Sequence, residues 1–506
     1  MNVEPAFGDF ETTYAAGKPQ VVWTRLVADL ETPVSAMLKL SAGRSKCFLL
    51  ESVEGGAVRG RYSIIGLSPD LIFRAQGEKA EVNTDALNDP DAFTALPDST
   101  LEALRKLIAE NRIELPESLP PMSAGIFGYL GYDTVRLMEE LPEPNPDVLG
   151  TPDAILVRPT VVVIFDAVRD EITVVTPVRK KDGLNANAAY SRAIDRLNGV
   201  VDGLDTPLDK SAITEDDIEA ATGTPVSNTT PDEYKQMVAR AKEYIAAGDI
   251  FQVVLSQRFE APFSLPPFAL YRALRRVNPA PFLYFLDFDD FAVVGSSPEI
   301  LVRVREGKVT IRPIAGTRPR GATPAEDRAL SEELLADPKE CAEHLMLLDL
   351  GRNDVGRVSK IGTVEVTDRF FLEYYSQVMH IVSNVEGKLA DGKDAIDGLV
   401  AGFPAGTVSG APKVRAMEII DELEKEKRGI YAGAIGYFSA DGEMDTCIVL
   451  RTSIVRDGKM YVQAGAGIVA DSVPESEQAE CVNKAKALFR AAEEAVRFAA
   501  SAGRGQ

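Results

Sequence analysis

Two-residue turns between short apolar segments constrain the fold of this chain most. Asp-Gly dipeptides at residues 441–442 and 457–458 are strong hairpin turns, and Glu-Gly at 306–307 marks a third. Hairpin-linked strands that are interspersed with helices favour an α+β fold over a doubly wound parallel sheet. The prediction is a large mixed β-sandwich with flanking helices.

One helix is marked at both ends. Thr230 can cap it, Pro231 fits its first position and Glu233 completes a capping box, so the helix is predicted to begin there. Its predicted end is Ala247, because Gly248 follows. The other predicted elements are buried strands at residues 47–50, 61–66, 161–165 and 251–259, a glycine-interrupted stretch of close backbone approach at 125–132, and acidic helices at 338–350 and 474–499.

A change in composition near the middle of the chain predicts two regions. Residues 202–230 are rich in Asp, Glu, Thr, Gly and Pro, which is typical of a surface linker. On length alone, one oversized unit is also compatible with the chain. The predicted division is an N-terminal region at residues 1–200, a linker at 201–229, a catalytic domain at 230–490, and a helix end with a tail at 491–506.

Charge and cysteine content limit the partners and the compartment. The 506 residues carry a formal charge of −22, and such an acidic surface repels nucleic acid and anionic lipid. The apolar stretches are far shorter than a membrane span, and the N-terminus lacks the pattern of a signal peptide. The four cysteines are widely separated and form no CxxC pair, which indicates a reducing compartment. We therefore expect a cytoplasmic enzyme without nucleic-acid or membrane partners.

Both acidic helices carry two glutamates spaced three residues apart. Glu340 and Glu343 form the first pair, and Glu477 and Glu480 form the second. Residues at this spacing share one helix face. Two such faces that meet would offer Mg²⁺ the hard oxygen ligands it prefers. Solvated helix surfaces are the simpler explanation of the spacing alone, because the chain has 77 acidic residues.

The chain has only two histidines, His344 and His380. Each is compatible with a structural role, and each is also a natural general acid or base near neutral pH.

Several stretches of the chain are rich in glycine. Glycine lets backbone N–H groups approach an anion, although turns explain glycine equally well. Glycine-rich stretches lie at residues 402–410, 429–436 and 464–467, and residues 312–321 combine glycine with three arginines.

A series of ordered motifs runs through the second half of the chain. The motifs are IFQVVLSQ (250–257), GSSPE (295–299), RPIAGTRPRG (312–321), ECAEHLMLLDLGRND (340–354), QVMHIVSNVEG (377–387), FPAGTVSGAPK (403–413), YAGAIGY (431–437), RT (451–452) and residues 464–484. Together they resemble the chorismate-utilising enzyme family, and in particular the large subunits of anthranilate synthase. The resemblance covers nearly all of residues 230–490, whereas the first half matches less densely, at residues 49–52, 61–63 and 125–133.

The resemblance implies a chorismate-binding fold and a magnesium site. By analogy, Glu343 and Glu480 would bind Mg²⁺, with Glu340 and Glu477 near the metal's water ligands. Glu299 resembles the family's general acid, which protonates the departing C4 hydroxyl. His380 would assist the elimination of pyruvate. The remaining residues implied at the substrate are Gly316, Thr317 (also counted as catalytic), Tyr431, Arg451, Gly465, Ala466, Gly467 and Lys484.

Two positions separate the chemistries within this family. Members that add water to chorismate carry a lysine where this chain has Gln252, because a base must activate the water. Typical aminodeoxychorismate synthases carry a nucleophilic lysine where this chain has Ala315. The combination here implies anthranilate synthase. The alternatives are 2-amino-2-deoxyisochorismate synthase, aminodeoxychorismate synthase component I and, outside enzymes, a catalytically inactive regulatory binding protein.

The resemblance also implies regulation and a partner. Tryptophan would inhibit the enzyme from a separate pocket. A hetero-oligomer with a glutamine amidotransferase subunit is expected to supply ammonia, because none of the four cysteines lies in a glycine-flanked nucleophile elbow and the chain ends soon after its last predicted helix. The residues implied at the inhibitor pocket are Glu51, Ser52, Asn278, Pro279, Leu283 and Tyr284.

Overall fold

The computed structural model describes residues 1–54, 58–208, 223–375 and 378–500. Most of the predicted linker and the end of the predicted tail lie outside these residues. The helices are α1 (Phe7–Ala15), α2 (Pro33–Leu40), α3 (Thr100–Glu110), α4 (Ala186–Leu204), α5 (Pro231–Ala247), α6 (Pro267–Val277), α7 (Pro324–Ala336), α8 (Pro338–Gly356), α9 (Ala395–Gly402), α10 (Lys413–Leu423) and α11 (Pro474–Ala500).

Strands make up the centre of the protein. They are β1 (Val3–Glu4), β2 (Gln20–Val27), β3 (Phe48–Glu54), β4 (Val58–Gln76), β5 (Lys79–Asn83), β6 (Thr94–Ala95), β7 (Gly125–Leu130), β8 (Ala154–Asp166), β9 (Glu171–Val178), β10 (Val226–Ser227), β11 (Gln252–Pro262), β12 (Phe282–Asp287), β13 (Ala292–Ser297), β14 (Ile300–Arg305), β15 (Lys308–Ile311), β16 (Ile314–Pro319), β17 (Glu365–Tyr374), β18 (Val378–Lys388), β19 (Gly410–Ala411), β20 (Ala434–Ser439), β21 (Met444–Ile448), β22 (Thr452–Arg456) and β23 (Lys459–Ile468). Short 3₁₀ turns lie at Pro121–Ser123, Tyr132–Leu137 and Gly406–Val408.

The strands form two sheets that share β4 and β8. The first sheet has the order β1-β2-β9-β8-β4-β3-β12-β13-β22-β23-β11, with β10 and β19 also paired to β11. The second has the order β6-β5-β4-β8-β7-β20-β21-β14-β15-β18-β17, with β16 also paired to β18. Between the described residues, all of these pairings are antiparallel.

A bulge explains how two strands serve both sheets. The register of β4 against β8 shifts between Pro69 and Leu71, where Ser68 has a left-handed φ of 49°. A bulge bends a strand and increases its twist. On one side of it β8 also pairs with β9, and on the other side it pairs with β7. The long β4–β8 ladder therefore leaves one sheet and enters the other.

Three apolar layers hold this arrangement together. On β8, Val162 and Ile164 face the core between the sheets, whereas the alternate residues Val161 and Val163 face the helices. This is the period-two alternation of a strand that is buried on both faces. Helices α1, α2, α4, α6 and α11 cover the first sheet, and α3, α8 and α9 cover the second. The predicted α+β sandwich is confirmed.

Local sequence signals correspond closely to the observed elements. Helix α5 has the predicted capping box between Thr230 and Glu233 and ends at Gly248, whose φ is 85°. The three predicted hairpin turns connect β14 to β15, β20 to β21 and β22 to β23. Gly128 lies where a side chain could not fit, since a Cβ would be 2.0 Å from the carbonyl oxygen of Ile155. The helix predicted to end at residue 350 continues to Gly356.

The two predicted regions are joined through the sheets. Strand β3 of the N-terminal region pairs with β12, and β7 pairs with β20. The division into domains stays a prediction, although both regions share the same cores. None of the described helices has the length and hydropathy needed to span a membrane.

Candidate active site

The predicted site residues meet around one cavity of about 600 Å³. It lies where β11, β16, β18 and β23 face α8 and α11. Gln252 and Ala315 also border it. Ala466 is the exception, because its side chain is buried in the cluster that packs against α5. The predicted residues that line the cavity are Glu299, Gly316, Thr317, Glu340, Glu343, His380, Tyr431, Arg451, Gly465, Gly467, Glu477, Glu480 and Lys484.

Helices α8 and α11 bring their glutamates to the same cavity. Both begin with proline, which suits the first helical position. Glu343 accepts a hydrogen bond of 3.3 Å from Gln252 Nε2. Glu340 is 3.2 Å from Arg318, and Glu480 is 2.8 Å from Lys484. The two i,i+3 pairs therefore face each other across a shared space, which spacing alone could not show.

Burial and neighbouring negative charges raise the pKa values of two of these glutamates. Burial raises the pKa of Glu343, and the charges of Glu340 and Glu480 raise it further. Burial also raises the pKa of Glu477, and Glu480 adds to that shift. A cation between the helices would relieve this repulsion.

The glutamate oxygens at this cavity are of the ligand type that a hard divalent cation prefers. Gln252 Oε1 is buried beside Glu343 and has no hydrogen-bond donor within the described chain. Mg²⁺ prefers oxygen and commonly binds through one or two carboxylates plus waters and substrate oxygens. In the part of the chain that the structure describes, no group of three or more His, Cys, Asp or Glu residues is arranged to hold a metal ion.

Glu299 is a buried carboxyl group between β13 and β14. Burial raises its pKa to about 8, although the Thr407 hydroxyl and the charges of Arg451 and Lys484 oppose the shift. Thr407 donates a hydrogen bond of 3.0 Å to Glu299 Oε1. Glu299 is therefore mostly protonated at neutral pH and can donate a proton.

The pKa of His380 is shifted in the opposite direction to that of Glu299. Burial lowers its pKa to about 4, and the charge of Arg451 lowers it as well. Its Nδ1 lies 3.2 Å from the carbonyl oxygen of Gly316 and 3.0 Å from Thr317 Oγ1. A carbonyl can only accept, so we assign the ring proton to Nδ1. The other nitrogen, Nε2, is then free to accept a proton at neutral pH.

Three cationic side chains line the cavity, namely Lys339, Arg451 and Lys484. Arg451 has a left-handed φ of 49°, and its side chain makes no hydrogen bond or ion pair with any described residue. Burial lowers its pKa, while Tyr375 and Glu299 oppose that effect. Lys484 Nζ donates to the carbonyl oxygen of Gly465 at 2.9 Å and pairs with Glu480. Arg451 and Lys484 can hold an anionic ligand in this acidic protein.

Glycines and a tyrosine form one wall. A Cβ on Gly465 would lie 2.7 Å from the carbonyl oxygen of Leu255, and one on Gly467 would lie 2.6 Å from Gln252 Nε2. Glycine is required at position 465, where backbone lies close, whereas a side chain at position 467 would have to displace the Gln252 amide. The hydroxyl of Tyr431 lies 3.0 Å from the position of that Gly465 Cβ.

Several supporting residues were missed by the sequence analysis. Arg428 is buried under the ring of Tyr431 at 5.6 Å and pairs with Glu424 at 2.6 Å. Glu424 accepts from Ser256, which accepts from Gln463 at the cavity wall. Thr407 lies in the quoted motif at residues 403–413, which was the one available signal for it.

The predicted inhibitor residues lie where the two regions join. In the β3–β12 ladder, Glu51 lies opposite Leu283, and the buried Glu51 carboxylate pairs with Arg275 at 2.6 Å. Leu283 faces α6, whereas Tyr284 is buried between the sheets. Ser52 donates a hydrogen bond of 3.2 Å to the carbonyl oxygen of Tyr62.

Asn278 and Pro279 line a second cavity. Its volume is about 620 Å³, and it shares His380, Arg451 and Lys484 with the first. Asn278 Nδ2 is buried there without an acceptor among the described residues. The predicted inhibitor residues thus connect the β3–β12 ladder to the edge of the candidate active site.

Residues 45–490 match the family described as chorismate binding enzyme. This chain belongs to that family. Anthranilate synthase component 1 of Cereibacter sphaeroides is 59% identical over 502 residues, which covers 99% of this chain and 100% of the relative. The component 1 of Pseudomonas putida is 48% identical and covers 92% of this chain and 93% of the relative. The family resemblance seen in the sequence is confirmed, and so is the expectation of an enzyme that uses chorismate.

Two solved structures have folds similar to this one. Anthranilate synthase component I of Streptococcus pneumoniae has a TM-score of 0.75 and 38% identity, and the match covers 92% of this chain and 99% of that one. The menaquinone-specific isochorismate synthase of Escherichia coli has a TM-score of 0.69 at 19% identity, covering 96% of this chain and 98% of that one. The latter likeness concerns the fold alone.

Proposed function

We propose that this chain is the large subunit of an anthranilate synthase, which converts chorismate and ammonia to anthranilate and pyruvate in the first step of tryptophan biosynthesis. The observation that carries the proposal is the pairing of Gln252 with Ala315 in a cavity that also contains Glu299 and His380. Ammonia is already a nucleophile, so the cavity needs neither a base for water nor a nucleophilic lysine.

The acid and the base have complementary tasks. Glu299 donates its proton to the C4 hydroxyl, which leaves as water while ammonia bonds to C2. Its raised pKa keeps that proton available at neutral pH. His380 is neutral and offers Nε2 as a proton acceptor when pyruvate is eliminated. Thr317 fixes the orientation of the His380 ring through Nδ1.

We propose that Glu343 and Glu480 hold Mg²⁺, with Glu340 and Glu477 orienting its water ligands. When bound, the metal supplies positive charge for the ring carboxylate of chorismate. Arg451, Lys484 and Tyr431, with Gly316 and the backbone of residues 465–467, bind the rest of the substrate. Arg451 and Lys484 line the cavity, and Arg451 makes no ion pair with any described residue, so its charge is available to the substrate.

The direct test is product identification. Purified chain would be incubated with chorismate, Mg²⁺ and ammonium salt, and the products separated by chromatography. We expect anthranilate and pyruvate in equal amounts. A non-aromatic aminated product would instead support 2-amino-2-deoxyisochorismate synthase, and isochorismate would refute the role given to Gln252.

Two other functions receive less support. Ala315 cannot act as the nucleophile of typical aminodeoxychorismate synthases. An inactive regulatory protein has no use for a carboxyl and an imidazole whose pKa values are shifted in opposite directions within one cavity.

We also propose feedback inhibition by tryptophan, bound near Glu51, Ser52, Asn278, Pro279, Leu283 and Tyr284. Because β3 and β12 belong to different regions of the chain, a ligand at their ladder could bias how the regions pack. Such a bias is the two-site coupling that allostery requires.

The nitrogen source is proposed to be a separate glutamine amidotransferase subunit, which makes the working enzyme a hetero-oligomer. A cytoplasmic location is proposed as well, and it is supported by the four cysteines, which are all free thiols.

A further inference from the structure

Three arginines converge outside the active-site cavity, at the place where β4 and β8 pass from one sheet to the other. Arg158 lies on β8, Arg179 follows β9, and Arg196 lies on α4. We call these residues the arginine cluster. Asp70, in the bulge of β4, is 2.7 Å from Arg158, and its charge also acts on Arg179 and Arg196.

The hydrogen-bonding capacity of the cluster is largely unused. Each guanidinium carries five N–H donors. To the described residues, the three side chains make only four hydrogen bonds. Arg179 Nε is buried and has no acceptor in the described chain. The four bonds are Arg158 to Asp70 (2.7 Å), Arg158 to Asn111 Oδ1 (2.6 Å), Arg179 to the Asn111 carbonyl (3.2 Å) and Arg196 to Thr176 Oγ1 (3.3 Å).

The charges of the cluster are unbalanced. Three positive side chains of the cluster share one carboxylate, and the charge of Arg192 also acts on Arg196, in a chain whose formal charge is −22. The side chains of Arg158 and Asp70 are only 15% and 25% exposed, so water screens them incompletely. Burial and the neighbouring Arg158 lower the pKa of Arg179 to about 10, and burial also lowers the pKa of Arg196. The charge of Asp70 opposes both pKa shifts but does not cancel them.

We propose that the arginine cluster is a binding site for a doubly charged oxyanion, namely inorganic phosphate or the phosphoryl group of a small metabolite. The net charge of three arginines and Asp70 matches a dianion. The planar fork of arginine donors matches the oxygens of a phosphate. Asn111, which contacts both Arg158 and Arg179, holds two of the forks side by side. The site is independent of the chemistry proposed for the cavity.

Binding would be measured on the full chain by calorimetry and by thermal unfolding, with sodium phosphate compared with sodium chloride at equal ionic strength. Glycerol phosphate provides a second arm. We expect saturable binding and a raised unfolding midpoint in phosphate only. If both phosphate compounds bind, the site accepts a phosphoryl group, and if only phosphate binds, it takes the free ion.

Substitutions inside and outside the arginine cluster test where phosphate binds. Arg179→Met should weaken phosphate binding about tenfold or more, because charge-assisted hydrogen bonds are lost. Arg196→Met, which removes a side chain with a single hydrogen bond, serves as the second variant in case the first is misfolded. Arg328→Met is the matched control, since Arg328 is exposed on α7. Arg451→Met should keep the phosphate response, because Arg451 lies outside the arginine cluster and lines the two cavities at the candidate active site.

The proposal is overturned if phosphate and chloride act alike on the wild-type chain. It is also overturned if folded Arg179→Met and Arg196→Met bind phosphate as the wild type does. Loss of the response in Arg451→Met with retention in Arg179→Met would assign the anion to the active-site cavity instead.

Discussion

At the scale of single residues, two titratable groups in one cavity have been shifted in opposite directions by the same cause. Burial disfavours the charged form, so it raises the pKa of the Glu299 carboxyl and lowers that of the His380 imidazole. An acid that keeps its proton and a base that stays unprotonated then coexist at neutral pH. Local hydrogen bonds from Thr407 and to Gly316 fix their orientations.

These shifts predict a pH profile for ammonia-dependent activity. Glu299 must be protonated, so kcat/KM should fall as the pH rises above about 8. His380 must be neutral, so kcat/KM should also fall as the pH drops toward about 4. The measurement requires a constant concentration of free ammonia at every pH. A profile that is flat between pH 7 and 9 under this condition would contradict the role of Glu299.

Substitution of Glu299 should separate activity from stability. Glu299→Gln should lower kcat by roughly 10²–10⁴-fold, which is the usual contribution of a general acid.

Between the ordinary pKa of 4.5 and about 8, the folded protein holds a proton on Glu299 that the unfolded chain releases. The free energy of unfolding of the wild type therefore falls as the pH rises through this window, and the variant should lack that decrease. Thermal unfolding at several pH values checks this, with the exposed Glu493→Gln as control.

Sequence reasoning reached some of these residues and not others. Glu299 and His380 were found because they lie in recognisable motifs. Thr407 was not assigned a role, since its contact with Glu299 joins positions 108 residues apart and depends on tertiary structure. Glu424 and Arg428 form a buried pair four residues apart on the chain, which looks like an ordinary surface ion pair until burial is known.

At the scale of elements, local signals predicted where helices begin and strands turn, but not which faces meet. The capping box of α5 and the three hairpin turns depend on a few neighbouring residues, and all were confirmed. The meeting of α8 with α11 joins segments more than a hundred residues apart. Only the resemblance to a family indicated that their glutamates would share a cavity.

The two acidic helices predict a magnesium dependence. Glu343→Gln and Glu480→Gln should each raise the Mg²⁺ concentration needed for half-maximal activity by about tenfold or more, because a ligand charge is lost. Calorimetric titration with Mg²⁺ in the absence of chorismate gives a readout that does not depend on turnover. Glu493→Gln lies on the same helix α11 and should behave as wild type. Unchanged Mg²⁺ dependence in both variants would make these glutamates surface residues.

The β3–β12 ladder predicts how tryptophan control can be removed. Ser52 is half-buried beside Gly60, where a Cβ would lie 2.2 Å from Ser52 Oγ, so the site tolerates little added volume. Ser52→Phe should therefore displace the ladder locally and relieve tryptophan inhibition, while activity without tryptophan is largely kept. Inhibition curves with chorismate and ammonium check this, and Ser191→Phe on the exposed face of α4 is the control. A wild-type enzyme whose activity does not change with tryptophan would refute the proposed feedback inhibition. It would leave the proposed reaction unaffected.

At the scale of the whole molecule, the N-terminal region completes the sheets that carry the site. Strand β12 leads by way of β13 to Glu299, and its other edge is covered by β3. The composition of the chain predicted a boundary near residue 200, yet composition cannot report strand pairing across that boundary. The shared ladder of β4 and β8 was equally hidden, since a bulge depends on long-range register rather than on any one residue.

The whole molecule also predicts a dependence on a second subunit for glutamine. Release of ammonia from an amide requires a thiolate nucleophile with a histidine base. Burial raises the pKa of Cys47 and Cys481 to about 12 and raises that of Cys447 as well, so these thiols remain protonated. The fourth thiol, Cys341, donates to the carbonyl oxygen of Leu335.

Neither histidine lies where it could serve as the base for a cysteine nucleophile. His380 borders the active-site cavity, and His344 is fully buried with Nε2 2.6 Å from Ser383 Oγ. We therefore expect purified chain with chorismate, Mg²⁺ and glutamine to form no anthranilate, whereas ammonium salt restores turnover. Addition of a glutamine amidotransferase subunit should make glutamine effective, and inactivation of that subunit's cysteine should abolish the glutamine reaction while leaving the ammonia reaction intact. Glutamine-dependent anthranilate formation by this chain alone would refute the proposed partner, because it would require a cysteine nucleophile with a histidine base, and no such pair lies among the described residues.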